Sequence, residues 1–448
     1  MAANVNTNKV RNEEFKIWKK TIPSLYEHIS TLQPKFSGSL SSAQAVPRSI
    51  LFGKLISENA DKGLLNTLIY YAQRGDIYEI SVQLPLGAYK GFENKELPQP
   101  KYQEFFSEPT NSRWVFEGQP IVKLKSNSPT STLIAMSSTA SLAWFDESNK
   151  QPLKTLKGPS DSQMECDFDV STDGKIVVKY EVLPEYTPAA TKISIINNTD
   201  NIGEVIRSIT LPNTNSSRCV KFHTANLFST VSDDNLLRFW DVRAGDEPLC
   251  SLVLDSSSTP NSGSNTESET EDDGKITSVE SSKFVDTLFL TGSDTGVIKL
   301  WDLRSIAAAN DKEVKNATEL VTLFQTDNDP VVNIQFSPSE PECFVTVGAS
   351  GNVYHWNIGC IFSENDSQDE NANSEESYQD YIQERCLKFL HTGGGRRSTY
   401  KSDDTSLIKG SVTQHPLIRN IIATVDDDGY LSVYKGFYGR DGEIEESE

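Results

Sequence analysis

The 448-residue sequence predicts an all-β fold: a seven-bladed β-propeller of WD-repeat type, with an N-terminal α-helix packed on its side. Three observations predict it. First, Phe228–Asp241, Phe289–Asp302 and Phe344–Asn357 share one pattern: an apolar strand, a tight polar turn, then an alternating strand ending at Trp240, Trp301 or Trp356. That is a β-hairpin signature, with Asp and Gly in the turn and β-branched or aromatic residues across the sheet. Second, the spacing is that of a repeat. Setting aside the polar residues 255–274 brings the 61 positions from Trp240 to Trp301 down to 41, within the ~40–45 of a WD-repeat blade. Third, weaker copies bring the total to seven. They are Leu68–Ile80, Ile134–Phe145 with Trp144, Cys166–Ile196, and Ile421–Tyr434 with Tyr in the Trp place. One four-stranded blade cannot bury both faces alone, so closing seven into a ring is what buries them.

Along the chain, residues 1–12 are polar and read as disordered. Residues 13–34 read as a helix. Phe15, Trp18 and Ile22 fall at i, i+3, i+7, and Leu25, Ile29 and Leu32 at i, i+4, i+7, with Pro23 as a kink. Residues 45–438 are assigned to the propeller. The insertions 255–274 and 363–380 and the tail 439–448 are acidic, poor in apolar residues and expected to be disordered. Within the blades, Trp144, Trp240, Trp301 and Trp356 are expected to pack between sheets. Asp233, Asp294 and the Trp-Asp partners Asp241 and Asp302 are expected to be structural, the turn acids capping backbone amides.

Composition narrows the function. With 42 basic and 63 acidic side chains the formal charge is −21, which argues against a surface that tracks a nucleic-acid backbone and suits basic partners. No direct sequence-specific DNA binding is expected. The first ten residues lack the apolar stretch of a secretory signal, and no run of ~18 apolar residues occurs, so no membrane association is expected. Six scattered cysteines without a Cys-x-x-Cys pair read as thiols in a reducing compartment, with no zinc site. Phosphate-loop, dinucleotide, nucleophile-elbow and zinc-protease motifs are all missing, and the five histidines lie far apart in sequence. The expectation is a non-enzyme with no cofactor and no metal.

One constellation points to a partner. After Trp356 the chain carries seven acids in 363–380 and no Lys or Arg. Among them are Asp366, Asp369, Glu370, Glu375 and Glu376, followed by Leu387, Phe389 and Leu390. Acids beside apolar side chains suit a basic amphipathic helix: charge steers it and Leu and Phe hold it. With Phe15, Trp18, Leu25, Tyr26 and Ile29 of the helix, these residues are expected to line a side groove. Arg396 and Arg397, after three glycines, are expected to contact acid or phosphate, or to serve as a nuclear-import patch.

The stretch Glu13–Tyr26 ahead of a seven-bladed propeller resembles the retinoblastoma-binding histone chaperones. Pieces along nearly the whole chain resemble the yeast WD-repeat transcriptional modulators, the Wtm and Ume proteins. These include Ser24–Ser30, Gly75–Ile80, Ser141–Phe145, Ser232–Asp241, Gly351–Trp356, Leu387–Gly394 and Thr424–Asp428. The fuller helix favours the Ume branch. The resemblance implies a nuclear, non-enzymatic scaffold subunit of a histone deacetylase corepressor complex that represses transcription, meiotic genes included. It also implies contact with histones H4 and H3 through the side groove. The alternative it implies is a nuclear anchor that retains the ribonucleotide reductase small subunit in the nucleus. Localisation is expected to be the nucleus, with the cytoplasm as a second place.

Overall fold

A computed structural model describes residues 25–34, 48–59, 63–86, 105–107, 111–127, 132–183, 190–211, 217–232, 234–253, 274–308, 315–316, 319–362, 375–392, 411–426 and 429–438. They form seven sheets, each a blade, antiparallel except where Lys315–Asn316 adds a short parallel strand to the outer edge of blade 4. From blade 1 to blade 7 the inner strands are Arg48–Asn59, Ile121–Asn127, Cys166–Val170, Ser217–Phe222, Ile276–Ser281, Val331–Phe336 and Val412–Gln414. In blades 1 to 6 the chain steps outward strand by strand before entering the next inner strand, with the added edge strand Lys315–Asn316 of blade 4 supplied later by the chain that leaves blade 5. Every predicted hairpin is present, from Leu64–Gln73 with Asp76–Pro85 in blade 1 to Ile421–Val425 with Leu431–Gly436 in blade 7. The hairpin turns need a left-handed residue, supplied by Gly296 in blade 5 and Gly351 in blade 6.

Blade 7 closes differently. Its outer strand is Tyr26–Leu32, which pairs antiparallel with Leu431–Gly436 from the other end of the chain. Over Tyr26–Leu32 this corrects the expected helix 13–34, and it corrects the expected start of the propeller at 45. The helical spacing of Leu25, Ile29 and Leu32 misled because the inward positions of this strand are polar. His28 and Ser30 are buried and bonded to each other at 3.1 Å, while Ile29 faces out. Residues 13–24, with Phe15 and Trp18, lie outside the described residues, as do 1–12 and 439–448.

The core is divided into seven apolar clusters, one in each seam between neighbouring blades. Trp240, Trp301 and Trp356 occupy equivalent places, each facing the preceding blade. Each stacks on the Phe opposite it, Phe228, Phe289 or Phe344, at 6.0–6.3 Å. Each indole N–H donates to a threonine ten residues earlier: Thr230 at 3.0 Å, Thr291 at 2.9 Å and Thr346 at 3.0 Å. In blade 7, Tyr434 takes the Trp place and turns its hydroxyl to His355, so the matching Thr424 hydroxyl has no partner among the described residues.

Trp144 breaks the expected equivalence. It faces the following blade, and its N–H donates to Asn198 Oδ1 at 2.7 Å. Phe145 fills the repeat position, packed toward blade 1 and paired with Leu133 as Trp240 is with Phe228. Neighbours on a strand point to opposite faces, so aligning on the indole instead of the strand register shifts the assignment by one residue.

Of the turn acids, Asp294 accepts from the Lys275 amide at 2.6 Å, joining the hairpin turn to the strand entering the blade. Asp241 and Asp302 each accept the amide two residues on and pair with Arg243 and Arg304. Asp233 lies outside the described residues.

Replacing Thr291 by Val leaves a buried indole N–H unpaired and is expected to cost ~1–3 kcal/mol. Thr424→Val removes an already orphaned hydroxyl and is expected to be within ~0.5 kcal/mol of neutral. Paired urea unfolding curves check both, and equal losses would contradict the assignment.

Candidate docking surface at the rim of blades 6 and 7

Two elements predicted to share a site meet at the seam between blades 6 and 7. Tyr26, at the start of the closing strand, lies edge-on to Phe389 at 5.2 Å and to Tyr434 at 5.8 Å. Phe389 belongs to Leu387–His391, the outer strand of blade 6. The Tyr26 hydroxyl shares a 2.8 Å hydrogen bond with His391 Nδ1, and the His391 ring stacks on Tyr434 at 3.9 Å. His355 bridges two phenols, Tyr434 at Nε2 (2.9 Å) and Tyr438 at Nδ1 (2.6 Å). The result is a polar-aromatic plug that fixes the closing strand against blade 6.

Outside the plug the surface is apolar and acidic. Leu25 is 45% exposed and Phe437 42%, and the Phe437 amide donates to the Leu25 carbonyl at 2.9 Å, so the two are adjacent. Ile29 lies further along the same strand, also exposed. Around Tyr438 stand Glu27 and Glu340, whose charges add to burial in raising its phenol. Glu27 pairs with Lys435 at 2.6 Å. Glu340 lies 3.6 Å from Arg419 and also faces the Cys343 thiol. Glu342, two residues on from Glu340, is exposed.

The end of the predicted acidic segment falls among the described residues. Residues 375–380 begin a helix, Glu375–Cys386, which corrects the expectation of disorder through 380. Ile382 and Cys386, at i and i+4, are buried in the seam of blades 5 and 6. The Gln383 amide pairs with both backbone groups of Phe324, at 3.0 and 2.7 Å, capping the outer edge of blade 5. Glu375 and Glu376 open this helix. Leu387 and Leu390 pack beneath it toward blade 5, on the opposite sheet face from Phe389, so the expected apolar trio is split between two seams. Asp366, Asp369, Glu370, Arg396 and Arg397 lie outside the described residues.

A second polar arrangement, which the sequence reading passed over, lines the central channel. Side chains of each inner strand bond to the next inner strand all the way round. The Leu124 amide donates to Ser49 Oγ at 3.1 Å, and Lys123 and Lys125 reach Asp167 and Asp169. Those carboxylates accept the Val220 and Phe222 amides at 3.3 and 2.8 Å, and Lys221 reaches Glu280. Thr277 donates to the Val331 carbonyl, Gln335 to Val412 at 2.8 Å, and the Phe52 amide to Thr413 Oγ1 at 3.3 Å. Burial alone would raise the Asp169 carboxyl, but the ammoniums of Lys125, Lys221 and Lys123 hold it well below the usual range. Burial pushes Lys125 down to about 8. The signal was present as Lys-x-Lys in 123–125 and Asp-x-Asp in 167–169, charges at strand period on one face.

These ammoniums and carboxylates satisfy one another and the backbone, which is the chemistry of a structural belt. Among the described residues no three His, Cys, Asp or Glu side chains gather as metal ligands, and no helix is long and apolar enough to cross a membrane. Fold and surface together define a propeller scaffold.

No family model matches the chain. It is similar to three proteins of Saccharomyces cerevisiae. The transcriptional modulator WTM2 is 34% identical, over 94% of this chain and 95% of its own. The transcriptional regulatory protein UME1 is 35% identical over 97% and 95%, and the transcriptional modulator WTM1 32% identical over 94% and 98%. The chain therefore belongs to the Wtm/Ume group of WD-repeat transcriptional regulators. Identities of 32–35% do not separate the two branches.

All five histidines are buried, and burial lowers each: His223 and His355 to about 3, His28, His391 and His415 to about 4. Unfolded imidazoles titrate near ~6.5. Between the folded and unfolded values the unfolded chain binds more protons, so stability falls as pH drops through that window, by ~1.4 kcal/mol per unit per histidine. Unfolding free energies measured from pH 6 down to 5 are expected to show this slope, and His391→Gln to remove one histidine's share. An unchanged slope in the variant would contradict a neutral His391.

Proposed function

We propose that this chain is a non-enzymatic scaffold subunit of a nuclear histone deacetylase corepressor complex that represses transcription, meiotic genes included. Its partner contact is the rim of blades 6 and 7, and the partner is a basic amphipathic helix of the kind histones H4 and H3 present. One observation carries the reading: exposed Leu25 and Phe437 are joined backbone to backbone next to Tyr438, whose phenol the charges of Glu340 and Glu27 reach. This apolar pair with flanking carboxylates lies on a chain of net charge −21 that carries seven further acids in 363–380. Apolar anchors supply affinity and the surrounding acids supply steering. Similarity to transcriptional regulators along nearly the whole chain supports the regulatory role and a place in the nucleus, and fits the Wtm branch as well as the Ume branch. The anchor reading, with the ribonucleotide reductase small subunit as partner, therefore stands beside the corepressor reading.

Affinity purification of the full chain separates the two. Deacetylase subunits in the eluate support the first, and reductase small subunit without them supports the second. In binding assays with a basic amphipathic histone peptide, Leu25→Asp with Phe437→Asp is expected to weaken binding at least ~10-fold with little change in melting temperature. Replacing the acids of 363–380 by Ser is expected to weaken binding and flatten its salt dependence. Wild-type affinity in both variants at every salt concentration would overturn the site.

A further inference from the structure

Cys360 and Cys386 bracket the acidic insertion, and their sulfurs are 3.6 Å apart. Cys360 lies in the short helix Gly359–Phe362 that leaves blade 6, and Cys386 ends the helix Glu375–Cys386 that returns to it. Both border the apolar cluster between blades 5 and 6, beside Ile358, Ile361 and Ile382. Cys386 is fully buried, whereas Cys360 is part exposed. A disulfide needs its sulfurs at ~2.05 Å, a closure of ~1.5 Å from their separation here. From this juxtaposition we propose that Cys360 and Cys386 form a reversible redox staple that ties together the two ends of the acidic insertion. The inference concerns the base of the insertion and holds whatever the insertion binds.

The oxidant is a small-molecule disulfide of the glutathione class. Cys360, the accessible thiol, loses its proton and attacks one sulfur of the oxidant. The oxidant's S–S bond breaks, the first small thiol leaves with that proton, and Cys360 carries a mixed disulfide. Cys386 then loses its proton and attacks the Cys360 sulfur, expelling the second small thiol. Two electrons and two protons pass from the cysteines to the oxidant, which leaves as two thiols. Burial, with Cys360 alongside, pushes the Cys386 thiol up to about 12, so this second step is the slow one and the staple closes under sustained oxidation.

The test uses the full chain in glutathione buffers of rising disulfide content, followed by alkylation and peptide mapping. The expected product is a Cys360–Cys386 cross-linked peptide pair about 2 Da lighter than the two reduced peptides, restored to them by excess thiol. After proteolytic nicking within 363–374, the two fragments are expected to stay joined on a non-reducing gel only in the oxidised sample. Cys360→Ser, at a part-exposed position, is expected to abolish both signals. Cys360 carrying glutathione beside a reduced Cys386 at every ratio, or both thiols remaining free, would overturn the proposal; this wild-type result does not depend on any variant folding.

Discussion

The structure depends on one pairing. Tyr26–Leu32, from the beginning of the chain, supplies the outer strand of blade 7, whose other strands come from residues 412–436. Without it, Leu431–Gly436 would be an open edge, and the last blade would have three strands to set against blade 6. Because it is present, the ring is fastened from both ends of the chain, and every inner sheet face meets a neighbour. The pairing joins residues some four hundred positions apart. Its loop-closure cost is modest because that cost grows only with the logarithm of length.

Two layers of interaction repeat around the ring. The outer layer is the set of seven apolar seams, in which Trp240, Trp301, Trp356 and Tyr434 are the largest equivalent side chains. The inner layer is the belt of side chains that bond each inner strand to the next. The belt uses ion pairs where blades 2 to 5 meet and neutral groups elsewhere. Removing one partner of a buried ion pair leaves an uncompensated charge at ~3–5 kcal/mol, so this arc of the belt is the least tolerant of substitution.

Much of the fold was legible in the sequence because hairpins announce themselves locally. Turn glycines, alternating strands and the Trp-Asp ends lie within a dozen residues of each other. What was not legible depended on distant partners. His28 and Ser30 read as polar positions of a helix because the strand that buries them lies at the other end of the chain. Trp144 read as the repeat Trp because an indole is more conspicuous than the register that hands the position to Phe145. The helix Glu375–Cys386 was hidden within a charge run, and the residues it buries in the core, Ile382 and Cys386, lie in its last two turns. Tyr26 and Phe389 were assigned to the lining of one groove, whereas the structure packs them on each other in the seam, and Leu387 and Leu390 were not separable from Phe389 without the sheet's two faces. The exposed pair Leu25 and Phe437 needed the closing register itself.

The same strand that fastens the ring therefore builds the rim, since Tyr26 anchors the aromatic plug and Leu25 begins the exposed apolar pair. Ring closure and the proposed docking surface are one structural event. The most direct measurement is amide hydrogen exchange on a chain beginning at residue 33, compared with the full chain. If the terminal strand holds the ring together, protection of the Phe222 amide in blade 4, on the far side of the ring, falls along with that of blade 7. Full protection at Phe222 with loss confined to blade 7 would show that the blades stand without closure and would contradict this account.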